Sequence, residues 1–330
     1  MMKHKGDWLL LLAAFIGGGG FISLKYLLDW GYDPFQVIFG RFLTASVCMC
    51  LVYCKRLKRI TKEEWRVGSI LGALLAAMFL LMTVGLQYTT PSVNAFLVNI
   101  PAVIVPFVCW GVFRQKPNRN CFLAAGMTLF GVCCLSLTAD FRLDFGAGLS
   151  LLAAVAFSLQ MAFLGNLTKD CDSVHIAIVE NLSTLAVMTV ILMFTGWDMP
   201  PLTLPAFGNF FYAGAFCTAL YFVLQSIGQQ STAPNKAAII ITTESIFAAV
   251  FSAILYGERM HFRGYLGCAV IFAAMALAEK PVQERKQPLT RRTKSNKMEK
   301  KRTNIREYKQ NPIGFGKVEI KWRQRHKRKM

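Results

Sequence analysis

The chain has 330 residues, of which 54% are hydrophobic and only 17% are charged. This composition argues against a protein whose surface is covered by water. There are 37 Lys and Arg residues against 18 Asp and Glu, which gives a formal net charge of +19. Nineteen of the basic residues, with only 4 acidic ones, lie in residues 280–330, so the positive charge is mostly a property of the C-terminal tail.

Apolar blocks separated by short polar joints run through residues 8–278. About 20 helical residues are needed to cross roughly 30 Å of hydrocarbon, and each block is about that long. Because lipid cannot satisfy exposed backbone groups, the blocks are predicted to be helices, and the fold class is an all-α integral membrane protein with ten transmembrane helices. The predicted helices are 8–27, 34–54, 66–86, 92–112, 121–137, 146–166, 174–195, 205–226, 235–256 and 262–278.

An internal repeat divides these ten helices into two groups of five. Residues 85–91 (GLQYTTP) match residues 228–234 (GQQSTAP) at four of seven positions, and both segments lie between the third and fourth helices of a group. Because five is odd, the second group enters the membrane in the opposite sense, as in secondary transporters built from inverted repeats. The predicted organisation is a first repeat at 1–139, a second at 140–279 and a basic tail at 280–330.

The distribution of basic residues between the helices predicts the orientation. With a cytoplasmic N-terminus, thirteen Lys and Arg residues before the tail lie on the cytoplasmic side and three lie outside. Ten crossings then place the C-terminus in the cytoplasm as well. The predicted localisation is the cytoplasmic membrane of the cell, with multiple passes.

Three charged residues within apolar blocks are candidates for contact with a substrate or a coupling ion, because such groups are costly in lipid unless they are paired or face water. Glu244 lies near the middle of the ninth helix and can carry a proton between the two sides, or it can serve only to bond a neighbouring helix. Glu180 in the seventh helix is the second candidate. Arg41 in the second helix either pairs with an acid or attracts an anionic group.

Several polar residues form a second set of candidates, each with a purely structural alternative. Lys25 follows four consecutive glycines, residues 17–20, which predict either a hinge beside a cavity or close helix packing. Pro101 and Pro106 free carbonyls near two asparagines in the fourth helix. Tyr221 and Gln225 lie on a polar face of the eighth helix, and Met78 and Met82 form a stripe on the third. The candidates in this set are Lys25, Asn94, Asn99, Tyr221 and Gln225.

The sequence offers little for metal binding or catalysis. Ten cysteines lie mostly in or beside apolar blocks and are interpreted as free thiols, so we expect no metal and no cofactor. Only four histidines are present, and neither HExxH nor GxSxG occurs, so we do not expect an enzyme.

The motifs at both ends of residues 8–279 resemble the EamA-type branch of the drug/metabolite transporter superfamily. The opening similarity is residues 19–25 (GGFISLK), 33–35 (DPF) and 40–42 (GRF), and the closing similarity is residues 244–252, 256–259 (YGER) and 264–267 (GYLG). The sequence departs from that pattern at residues 113–116 (FRQK), where Gly-Glu-Arg is usual, and at Ser245, where Pro commonly follows the Glu.

This resemblance implies a central cavity and alternating access for small metabolites, often by export. We therefore expect a secondary transporter that exports small metabolites or amino-acid-like compounds, with the lipid bilayer and a small-molecule substrate as its partners. Coupling to protons is left open. A homodimer is left open. The basic tail is expected to be disordered and able to bind anionic lipid. The alternative function is a non-transporting scaffold or sensor that acts through this tail.

Overall fold

The computed structural model describes residues 3–117, 119–136, 144–196, 199–232, 234–259 and 261–279. The predictions for the tail, its disorder and its affinity for anionic lipid fall outside these residues. The described part is helical throughout. The helices of its first half are α1 (Lys3–Asp29), α2 (Pro34–Val52), α3 (Cys54–Leu57), α4 (Lys62–Gln87), α5 (Pro91–Val98), α6 (Pro101–Phe113) and α7 (Arg119–Ser136).

The second half contains α-helices and two π-helical segments, in which the backbone hydrogen bonds span five residues instead of four. Its helices are α8 (Phe145–Leu167), α9 (Ser173–Thr195), α10 (Leu204–Phe211), a first π-helix (Tyr212–Leu220), α11 (Tyr221–Ser231), α12 (Pro234–Thr242), α13 (Glu244–Phe251), a second π-helix (Ser252–Tyr256) and α14 (Phe262–Glu279).

Eight helical stretches in the described part of the chain are long and apolar enough to cross a membrane. They correspond to eight of the ten predicted spans. The two other predicted spans correspond to α7 and α14, which pack against each other so closely that a Cβ added to Gly131 would lie 2.6 Å from Ile271 Cγ1. The all-helical membrane class is therefore confirmed, and ten crossings remain a prediction.

Side-chain caps fix where several helices begin. The Asp33 side chain accepts a hydrogen bond from the Phe35 backbone N–H, and Pro34 occupies the first turn of α2, where a missing N–H costs nothing. At the start of α4, Thr61 and Glu64 form a reciprocal capping box. These caps place the polar joints at the helix ends and leave the apolar residues inside the helices.

Two of the membrane-length stretches are interrupted near their middle, one in each half of the chain. In the first half, α5 ends at Val98 and α6 begins at Pro101, because proline cannot donate the hydrogen bond that would continue the helix. In the second half, α12 and α13 are separated at Thr243, whose hydroxyl donates to the Ile240 carbonyl at 2.6 Å. Each stretch corresponds to one predicted span, 92–112 or 235–256, and the interruptions within the spans were not predicted.

Polar contacts connect the segments at the helix ends, and these contacts fall into two groups. In one group, His175 Nδ1 lies 3.1 Å from a Glu64 carboxylate oxygen, and Lys236 Nζ lies 2.7 Å from Asp7 Oδ2. In the other group, the Glu258 carboxylate accepts hydrogen bonds from the backbone N–H and the hydroxyl of Ser92. Each group joins residues of the first half of the chain to residues of the second.

Glycine allows the backbones of α4 and α9 to approach closely. A Cβ added to Gly72 would lie 2.7 Å from the Glu180 carbonyl oxygen and 2.7 Å from Ser183 Cβ. Backbone atoms cannot move aside as a flexible side chain can, so even alanine would force the two helices apart.

Gly72→Ala should therefore lower the free energy of unfolding by about 1–3 kcal/mol. Gly126→Ala in α7 is the matched control, because nothing lies within 4 Å of the added Cβ and alanine favours helix by up to about 1 kcal/mol. Thermal unfolding of the purified variants in detergent measures both effects. Equal midpoints for the two variants would contradict this account of the α4–α9 contact.

Candidate functional site

A cavity lies among helices from both halves of the chain. Six of its fourteen lining residues are phenylalanine or methionine: Phe21, Phe79, Phe157, Phe222, Met78 and Met82. The methionine stripe predicted on the third helix therefore lines the cavity.

Arg41 of α2 supplies a cation to this wall. Its guanidinium donates to the Thr218 hydroxyl and to the Cys217 carbonyl, and its Cζ lies 4.4 Å from the centre of the Phe79 ring. Among the described residues no carboxylate forms an ion pair with Arg41, although Glu244 lines the same cavity. The guanidinium is instead held by neutral acceptors and an aromatic face, which leaves its charge available to an anionic group.

The first π-helix positions the two groups that accept hydrogen bonds from Arg41. Thr218 and Cys217 both lie within it, and the Thr218 hydroxyl also donates to the Ala213 carbonyl five residues earlier at 2.7 Å. A π-helical turn shifts the register of the side chains that follow it, which is a frequent arrangement at functional sites. Thr218 lies one helical turn before Tyr221, on the polar face noted in the sequence, but its role as the anchor of Arg41 was not predicted.

Glu244 supplies a carboxyl group to the same cavity. It lies in the first turn of α13, directly after the helix break, and its Oε2 accepts a hydrogen bond of 2.9 Å from the Tyr221 hydroxyl. Glycine at position 17 makes room for this pair, because a Cβ there would lie 2.7 Å from Glu244 Oε1 and 2.8 Å from the Tyr221 ring. Glu244 and Tyr221, predicted separately, are thus one hydrogen-bonded unit.

The four glycines of α1 do not form a hinge. Helix α1 is continuous through residues 17–20, and each of these glycines faces a neighbour that a side chain would meet. A Cβ at Gly18 would lie 2.7 Å from Phe247 Cβ, and one at Gly20 would lie 3.2 Å from Cys217 Cβ. Close packing is therefore the correct reading of this sequence feature.

Asn99 lines the cavity at the break between α5 and α6. A short link joins this region to the second interrupted stretch, since the Ser245 hydroxyl donates to the Ala95 carbonyl at 3.1 Å. In the EamA-type family that the sequence resembles, proline is common at the position of Ser245. In this chain the Ser245 hydroxyl instead connects the two halves. The two helix breaks thus place one polar side chain each, Asn99 and Glu244, at the cavity.

The other predicted site residues lie away from the cavity wall. Glu180 is fully buried and accepts a hydrogen bond of 2.6 Å from Gln160 on α8. Asn94 donates to the Met82 carbonyl and to Ser150 Oγ, which is a contact between helices. Lys25 donates to the Leu86 carbonyl at 3.2 Å. Gln225 is fully buried in α11.

A charged cavity enclosed by membrane-length helices defines a multi-pass membrane protein with an internal site for a small molecule. Comparison with known proteins makes this class specific. The model of the EamA-like transporter family matches the chain twice, over residues 4–137 and 144–279, and the chain belongs to that family within the drug/metabolite transporter superfamily.

The chain is also similar to an uncharacterized transporter of Archaeoglobus fulgidus, with 25% identity over 271 residues that cover 81% of this chain and 83% of that protein. A solved crystal structure of a protein has the same fold, with a TM-score of 0.62 at 14% identity, covering 83% of this chain and 96% of that one. Together the family and the relative identify a membrane transporter, which has a small-molecule substrate and works in a lipid bilayer.

Thr218→Val should lower the free energy of unfolding by about 1–2 kcal/mol, because it removes an acceptor from a buried guanidinium. Thr189→Val is the control, since the Thr189 hydroxyl bonds only to the Leu185 carbonyl of its own helix, at 2.8 Å. Thermal unfolding in detergent compares them. A Thr218 variant as stable as the Thr189 variant would show that this hydrogen bond does not hold Arg41.

Proposed function

We propose that the protein is a secondary transporter that exports small metabolites or amino-acid-like compounds through the central cavity by alternating access. The observation that carries the proposal is that Arg41 and Glu244 line one largely apolar cavity. A compound with an anionic and a cationic group on a small apolar body matches these charges and walls. The outward direction follows the behaviour implied by the family resemblance.

Alternating access needs two halves that can move against each other around the site. We place the repeats at residues 1–139 and 140–279, with the second inverted relative to the first, which brings the two interrupted stretches into equivalent positions. The matches of the family model over residues 4–137 and 144–279 support this division. The Ser245–Ala95 contact connects the stretches beside the cavity, where a pivot would be expected.

The two groups of joint contacts suit the two gates of such a mechanism. One group contains the His175–Glu64 and Lys236–Asp7 contacts, and the other contains the Glu258–Ser92 contacts. We assign the first group to the cytoplasmic side, because it lies among the basic joints of the chain. This orientation puts both termini in the cytoplasm and the protein in the cytoplasmic membrane.

Proton movement through Glu244 can drive export. One charge that moves through 100 mV supplies about 2.3 kcal/mol, which sustains a concentration ratio of roughly 50. Glu244 shares the cavity with the substrate, so binding of a substrate cation and binding of a proton compete for one carboxyl group. Such competition exchanges an inward-moving proton for an outward-moving substrate.

Glu244→Gln should abolish the dependence of transport on a pH gradient, because the amide cannot carry a proton. Glu180→Gln is the matched control: Glu180 is also buried, but it bonds to Gln160 away from the cavity and should leave the gradient dependence intact. Flux of amino acids in proteoliposomes, with and without an acidic exterior, measures both variants. Gradient dependence that survives in Glu244→Gln removes this residue from the coupling role.

The proposed topology can be tested separately by thiol labelling in whole cells, on a background that lacks the ten native cysteines. Cysteines at Lys62 and Lys116 should both be protected from an impermeant reagent, and one at Arg259 should react. A permeant reagent provides the control for reactivity at all three positions. Labelling that puts Lys62 and Lys116 on different sides of the membrane would overturn the ten-span, inverted arrangement.

A further inference from the structure

Asn99 differs from Arg41 and Glu244 because its side chain has no hydrogen-bond partner in the part of the chain that the structure describes. The residue is 1% exposed and lines the cavity, and neither its Nδ2 nor its Oδ1 has a hydrogen-bond partner among the described residues. Glu244, by comparison, bonds to Tyr221, and Arg41 bonds to Thr218. The amide of Asn99 thus presents both a donor and an acceptor to whatever occupies the cavity.

The helix break accounts for this exposure of the amide to the cavity. Asn99 is the C-cap that directly follows α5, and its backbone N–H donates to the Ala95 carbonyl at 3.1 Å, so the backbone donor is satisfied locally. The Asn94 side chain, within α5, instead donates hydrogen bonds from Nδ2 to the Met82 carbonyl and to Ser150 Oγ. Asn94 therefore connects helices, whereas the Asn99 side chain is available to a ligand.

A side-chain amide without a hydrogen-bond partner in an apolar wall raises the free energy of the protein. A ligand that pairs with both amide atoms removes this cost, so the site favours it over a ligand that cannot pair with them. A carboxylate would accept from Nδ2 and leave Oδ1 unpaired. An ammonium group would donate to Oδ1 and leave Nδ2 unpaired. A neutral group that both donates and accepts, such as a carboxamide, satisfies both atoms.

We propose that Asn99 is a specificity-determining residue that binds a carboxamide or an equivalent neutral donor–acceptor group of the substrate. The inference rests on the proposed function, since it concerns the same cavity. Arg41 and Glu244 take the charged groups of an amino-acid-like compound, and Asn99 takes the end of its side chain. The preferred substrates are then amino acids with a short aliphatic side chain that ends in an amide.

Three amino acids of similar length test this selectivity: glutamine, glutamate and norleucine. The measurement is counterflow of each labelled compound into proteoliposomes loaded with the same unlabelled compound. The wild-type protein should prefer glutamine to both others by about tenfold, the effect of one unmatched polar pair. Equal rates for glutamine and norleucine overturn the inference and leave the proposed transport of amino-acid-like compounds standing.

Asn99→Leu should remove the preference for glutamine over norleucine and keep norleucine counterflow, because leucine fills a similar volume without polar atoms. Asn94→Ala is the matched control, and it should keep the preference, since Asn94 lies off the cavity wall. If Asn99→Leu does not fold, the preference for glutamine over norleucine is measured in Asn99→Ser and compared with that of the wild type. A preference that persists in the Asn99 variants overturns the inference. Transport of none of the three compounds by the wild type overturns both the inference and the proposed substrate class.

Discussion

The central constraint on this protein is that a polar group inside the membrane must be satisfied by protein, by water or by a ligand. The cavity concentrates that constraint in one place. Arg41 is satisfied by Thr218 and Cys217, and Glu244 by Tyr221, with glycine at position 17 making the space. Arg41 and Glu244 thus each have neutral hydrogen-bond partners, and both line the same cavity. A site that holds a guanidinium and a carboxyl group in an apolar enclosure can interact with a molecule that carries an anionic group and a cationic group.

The two helix breaks have different chemical causes, but each places a polar residue at the cavity. Pro101 ends the first half of its stretch by removing a backbone donor, whereas the second stretch is interrupted at Thr243, whose hydroxyl bonds back to the Ile240 carbonyl. Each break ends a helix beside the cavity and so directs a polar residue into it. The sequence lacks the family's proline at Ser245, and the break is still present because local side-chain bonding and packing can replace proline.

Hydropathy was sufficient to predict the helical membrane class, because the length and the composition of each apolar block are visible in the sequence. The rotation of each helix about its axis was not visible. Arg41, Glu244, Tyr221 and Asn99 line the cavity, whereas Glu180 and Asn94, which looked equally suitable as buried polar residues, face other helices. The π-helix around Thr218 could not be predicted either, because its longer hydrogen bonds leave no periodicity in nine residues. Helix rotation and register depend on tertiary packing, which a single sequence does not reveal.

The contacts that close the two ends differ in kind from those that build the cavity. At the ends, the bonds involve side chains such as Glu258, Lys236 and Asp7, and water can replace such bonds at little net cost. Beside the cavity, glycines bring helices within contact distance, as at Gly18, where a Cβ would lie 2.7 Å from Phe247 Cβ and a shift of either helix would lose packing. The proposed alternating access requires a protein that opens at two ends while its site stays intact, and this distribution of strength suits that proposal. In it, the exchangeable contacts lie where the chain would separate, and the close-packed contacts lie beside the cavity.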